Sequence, residues 1–90
     1  MNKLLNKNLE LTYQGQQGLF ATVNIIKAGD KADTYISIYD DMDYEFCAAK
    51  LNKALSEDEV EKYLEKGFAM AVDLGRPPSK YGEKVPTIEL

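Results

Sequence analysis

No histidine occurs anywhere in this chain. The commonest general base, the commonest transition-metal ligand and the ordinary switch near neutral pH are therefore missing together, which excludes Ser-His-Asp and Cys-His chemistry. Cysteine is nearly absent as well. Cys47 stands alone, so neither an internal disulfide nor a four-thiolate zinc site can form, and a reducing, cytoplasmic location is expected. Of the eleven basic residues only Arg76 is an arginine, the side chain that clamps phosphates bidentately and reads guanine edges. Specific nucleic-acid binding is accordingly a poor fit. Long apolar runs are also missing: nothing approaches the roughly 18 residues needed to span a bilayer. The start, Met1 to Asn8, lacks the apolar stretch of roughly seven or more residues that a secretory leader carries. Neither a membrane nor a secreted protein is expected.

What remains is ordinary for a globular chain. Hydrophobic residues at 44% and charged residues at 29% are enough for a folded core and too balanced for disorder, and 90 residues make one small domain. The net charge of −4 is spread unevenly. From Asp40 to Glu65 nine acids face three lysines, a net −6, whereas the rest of the chain carries eight bases against six acids. One segment is an anionic surface in an otherwise near-neutral molecule.

The first half reads as strand. Leu9, Leu11 and Tyr13 alternate with polar neighbours, and Gly15-Gln16-Gln17-Gly18 supplies a hairpin turn. Leu19 to Lys27 follows, with Ala21, Val23 and Ile25 on one face. Ala28 to Lys31 makes the next turn, and Thr34 to Tyr39 is the third strand, with Ile36 and Ile38 facing inward. The period then changes from 2 to 3.6: Asp43 suits an N-cap, and Tyr44, Cys47, Ala48, Leu51, Ala54 and Leu55 make an apolar helical stripe. A second helix begins at the capping box Ser56-Glu57-Asp58-Glu59 and runs to about Asp73, before Gly75-Arg76-Pro77-Pro78; a stop at Gly67 with a strand over Phe68 to Val72 is the other reading. The expected fold class is therefore α+β, βββαα: a three-stranded antiparallel meander with two helices packed on one face. Residues 1–75 form the domain and 76–90 a Pro/Gly-containing C-terminal tail, in which Thr87 to Leu90 alternates like an edge strand.

Two surfaces are candidates for function. The first is anionic: Asp40, Asp41, Asp43 and Glu45 before the first helix, and Glu57, Asp58, Glu61 and Glu65 along an edge of the second. Like charges at i, i+4 cost roughly 0.2–0.5 kcal/mol per pair, which a merely solubilising face avoids by mixing in lysines. The expected role is docking on a basic partner protein. The second is the open sheet face, where Phe20, Thr22, Asn24, Tyr35, Ser37 and Tyr39 share one side and suit a homodimer interface.

Metal and phosphate signatures fail. The run Asp41, Asp43, Glu45 begins like a calcium loop, but Phe46 stands where that loop needs glycine and Asn52 where it needs a bidentate glutamate. Gly15 to Gly18 lacks the remainder of a P-loop. No metal and no cofactor is implied, and an enzyme is not expected. The leading expectation is a non-enzymatic binding module or small inhibitor that docks through residues 40–65, occupying a nucleic-acid site as a charge mimic, in the manner of phage and mobile-element inhibitors. The alternative is a single-strand nucleic-acid binder that stacks bases on Phe20, Tyr35 and Tyr39, with Lys27 and Lys31 for the backbone. A divalent-metal-dependent enzyme built on the Asp40 to Glu45 acids comes third.

Overall fold

In a computed structural model, which describes residues 7–90, the period-2 segments build three strands in sequence: β1 (Lys7–Gln14), β2 (Leu19–Ala28) and β3 (Lys31–Asp40). The expectation that Met1 to Asn6 carry no leader lies outside the described residues. Each strand pairs antiparallel with the next, and the register sets Leu11 against Val23 and Val23 against Ile36. Ala21, Val23, Ile25, Ile36 and Ile38 are all buried on one face, as their alternation requires.

The chain then departs from the βββαα expectation. Residues 45–51 form a fourth strand, β4 (Glu45–Leu51), so the sheet order is β1-β2-β3-β4 and a single long helix follows. The apolar stripe from Tyr44 to Leu55 is thus not a helix. Its spacing misleads because β4 carries a bulge: Cys47 pairs with Ile38 and Glu45 with Tyr39, which leaves Phe46 as the extra residue. Phe46 and Cys47 are consequently buried side by side, and strict alternation is lost. Alanine is a strong helix former, but propensity amounts to less than about 1 kcal/mol per residue and tertiary context overrides it; a strand here satisfies the row of donors and acceptors along β3. Asp43 is likewise not an N-cap. It sits at φ 67 in the β3–β4 turn, and Asp40 closes that turn by accepting hydrogen bonds from the Met42 and Tyr44 amides, both at 2.9 Å.

The helix α1 (Glu57–Leu74) starts at the expected capping box: Ser56 Oγ accepts from the Glu59 amide while the Glu59 carboxylate accepts from the Ser56 amide. Lys53 also binds that carboxylate at 2.8 Å, and this bond first, then the Ser56 amide, lowers the Glu59 pKa to about 2. The helix does not stop at Gly67. It ends at Gly75, whose φ of 78 provides the left-handed cap. Gly67 serves packing instead, since a Cβ there would lie 2.9 Å from both Ile38 and Ile88. Val60, Leu64 and Ala71 complete the helical side of the core.

Beyond a 3-10 turn over Pro78–Tyr81, the last residues run beside β4. The Ala48 amide donates to Pro86 O at 3.1 Å and the Ile88 amide donates to Ala48 O at 2.8 Å, so the alternating Thr87 to Leu90 yields one parallel bridge rather than a full strand. That bridge turns Ile88 into the core, where it is 1% exposed. Among the described residues no helix is long and apolar enough to cross a membrane.

One helix covers less than two would have done. Neighbouring strands lie about 4.8 Å apart and a helix is about 10 Å across, so a single helix cannot roof four strands. Helix α1 lies over β4, β3 and β2 and does not reach β1.

Candidate functional site

The anionic residues fall into two groups. Asp40, Asp41 and Asp43 occupy the β3–β4 turn, with Asp41 and Asp43 exposed and Asp40 committed to the turn's own amides. Glu45 follows on the open sheet face, half-buried, where its carboxylate accepts a hydrogen bond from the Ser37 hydroxyl. Glu57, Asp58, Glu61 and Glu65 are all exposed on α1. The helical group begins at the opposite end of the sheet from the turn and runs toward it. Thr34 tethers the start of α1 by donating to Lys53 O at 2.7 Å and accepting from the Leu55 amide at 3.3 Å. From Thr34 to Asp40 is six residues along β3, about 20 Å at the usual rise. The helix returns toward the turn, and Phe68 lies against Gly15 in the β1–β2 turn at that same end.

Only the helical acids form a row. Glu57, Glu61 and Glu65 stand one turn apart, about 6 Å each, on a single flank. Among the described residues the ion pairs are Lys53 with Glu59 and Arg76 with Glu83, so no cation is within ion-pair distance of the row. Lys62 lies beside it, lining a shallow hollow with Asp58, Glu61 and Glu65. Among those same residues, no three His, Cys, Asp or Glu side chains are grouped to hold a metal ion.

The open face is built as the alternation implies. Phe20 pairs with Tyr39, Thr22 with Ser37 and Asn24 with Tyr35, so all six candidates share one side. Part of this face is engaged internally. Thr22 Oγ1 and the Tyr39 hydroxyl are 2.7 Å apart, the Phe20 and Tyr39 rings stack at 6.1 Å, and the Lys50 ammonium sits 5.5 Å over Tyr35. A depression of about 410 Å³ remains among Thr22, Asn24, Tyr35, Ser37, Glu45 and Lys50. Lys27 does not serve this face, because it shares the side of Ile25 and Val23. Lys31 lies at the start of β3, remote from Tyr39, and Glu45 stands opposite Tyr39 at the start of β4, where it bonds Ser37. Neither Lys50 nor Glu45 was legible as a member of this surface. Lys50 is placed there by the regular pairing of β4 with β3, and the bulge that turns Glu45 onto it leaves no signal beyond the adjacent buried pair Phe46 and Cys47.

Cys47 is wholly buried, and its thiol donates to Gly67 O at 3.4 Å. Burial first, and Glu45 second, pushes its pKa up to about 12. A thiol so placed behaves as a small hydrophobe and not as a nucleophile. Because the folded value exceeds the unfolded one, its contribution to stability is complete below pH 9.0 and is lost as pH rises toward about 12. Thiol-specific reagents at pH 8 are accordingly expected to label Cys47 only as fast as the protein opens. Labelling of the folded chain at the rate of a free thiol would contradict this placement.

No protein family matches this chain, and neither does any curated protein or solved structure.

Proposed function

We propose that this chain is a non-enzymatic protein-binding module that presents the acidic flank of α1 to a basic surface on a partner, where it competes with nucleic acid for that surface. The observation that carries the reading is the row of Glu57, Glu61 and Glu65, with Asp58 beside it, exposed and without ion-pair partners among the described residues. Three carboxylates in line repel one another by roughly 0.2–0.5 kcal/mol per adjacent pair, a cost that a complementary cationic surface would offset. The buried, unpaired thiol of Cys47 suits a reducing compartment such as the cytosol.

The open sheet face supports the other readings less. Single-strand binding needs a cationic groove along the rings, and although Lys50 lies over Tyr35, Lys27 points to the opposite side and Glu45 shares the surface. A homodimer through Tyr35 and Tyr39 needs free aromatic area, and Tyr39 is half-buried against Phe20 and Thr22.

The test uses the whole chain as bait in extracts of the source organism at low and high salt, followed by kinetics on the protein captured. A basic partner is expected that is released by salt. Changing Glu57, Glu61 and Glu65 together to Gln, all at exposed positions, should slow association roughly tenfold or more while leaving the fold intact. Unchanged association by that variant, or a partner indifferent to salt, would rule the reading out.

A further inference from the structure

Because α1 stops short of β1, the helical side of the sheet keeps an uncovered apolar margin. Leu9, Leu11 and Tyr13 pair with Ile25, Val23 and Ala21, so their side chains stand on the same face as the core. Their partners are buried, yet Leu9 is 51% and Leu11 37% exposed. Beside them lies a hollow of about 480 Å³ lined by Asn8, Leu9, Ile25, Lys27, Ala54 and Leu55. The hollow runs from β1 and β2 to Ala54 and Leu55, just before the start of α1.

The flank of α1 on the β1 side is the acidic one. Phe68 touches the β1–β2 turn at Gly15, which fixes the side of α1 that looks toward β1. Residues three, four or seven positions apart share a helix face. Phe68 is three residues beyond Glu65, seven beyond Glu61 and eleven beyond Glu57, so the carboxylate row and Phe68 stand together on the β1 side. The apolar slot thus has Leu9, Leu11 and Ile25 as its floor, Phe68 and Leu55 toward its ends and carboxylates along one wall. Among the described residues, Lys27 is the one cation lining the hollow, at the end next to Asn8.

We infer that this slot is the seat of a basic amphipathic helix from a partner protein. The inference rests on the proposed docking role and names the chemistry that site would take. One further helix, about 10 Å across, laid beside α1 would cover β1 and overhang the sheet edge. Apolar side chains at i, i+3, i+4 and i+7 of the incoming helix would cover Leu9 and Leu11, while lysines or arginines one turn apart would meet Glu57, Glu61 and Glu65. Charge complementarity selects this occupant over a second copy of the chain, whose own α1 would bring another acidic row to the same wall.

The test uses two synthetic probes with the full chain: an amphipathic leucine–lysine peptide of about 18 residues and its counterpart with glutamate in place of every lysine. Backbone amide shifts should locate the lysine peptide at Leu9 to Tyr13, Ile25 and the Glu57 to Phe68 flank, and the glutamate peptide should not bind. Leu9→Ser with Leu11→Ser should weaken binding about tenfold, and Leu9→Ser alone keeps the test valid if the double variant unfolds. Equal binding of both peptides, or shifts centred on Tyr35 and Tyr39, would overturn the inference. So would a mass of twice 10.1 kDa that Leu9→Ser abolishes, since a second copy would then fill the slot. The Gln variant of Glu57, Glu61 and Glu65 separates the two ideas. If it binds the lysine peptide normally while the leucine variants do not, the anionic reading fails, and the basic character of the occupant with it. If it loses binding while the leucine variants retain it, the anionic reading stands and the slot is wrong.

Discussion

Thr34→Val is expected to destabilise the protein by about 2–4 kcal/mol although the two side chains have nearly the same shape. Thr34 is fully buried, and its hydroxyl both donates to Lys53 O and accepts from the Leu55 amide. Valine offers neither bond. One net hydrogen bond is worth about 0.5–1.5 kcal/mol, and a buried donor left unpaired, here the Leu55 amide, adds about 1–3 kcal/mol. Thr34→Ser is the control, since it keeps the hydroxyl and loses only a methyl, worth about 1 kcal/mol. Urea unfolding with an unchanged slope would measure both variants. A valine variant no weaker than the serine variant would show that the clasp between β3 and the start of α1 contributes nothing.

Ile88→Ala should cost still more, about 2–5 kcal/mol, as for other large-to-small changes in a packed interior. Small domains retain only about 5–15 kcal/mol in all, so a loss of that size lowers the melting point severely. The reason is its placement. Ile88 is 1% exposed and faces Gly67 of α1 across a gap that would not admit even a Cβ. Leu90, two residues on and 65% exposed, provides the comparison, and Leu90→Ala should stay within about 0.5 kcal/mol. Equal thermal midpoints for the two alanine variants would mean that the segment after Gly75 adds nothing to the core.

Both predictions concern residues whose importance is invisible in local pattern. Threonine in a strand and isoleucine near the end of a chain are unremarkable by type. Their roles come from neighbours far away in sequence: Lys53 and Leu55 for Thr34, Ala48 and Gly67 for Ile88. The candidate surfaces divide in the same way. That Phe20, Thr22, Asn24, Tyr35, Ser37 and Tyr39 share a face followed from alternation alone, whereas the presence of Glu45 and Lys50 among them depended on β4 pairing with β3. The acids of α1 were legible as a row, but the exposed leucines of β1 beside them were not. Two helices would have covered those leucines; one cannot.

The sequence by itself determined the elements whose stabilising interactions are local. β1 to β3 follow from period-2 alternation closed by short turns, and α1 follows from its capping box at Ser56 and its left-handed cap at Gly75, because each involves residues only a few positions apart. Tertiary structure alone decided the fate of residues 45–51. Their local pattern fits a helical stripe at least as well as a bulged strand, and the choice fell to the unsatisfied edge of β3, which only a paired strand can fill. It also decided where Ile88 packs and which part of the sheet stays bare, because close packing is a property of segments brought together from across the chain.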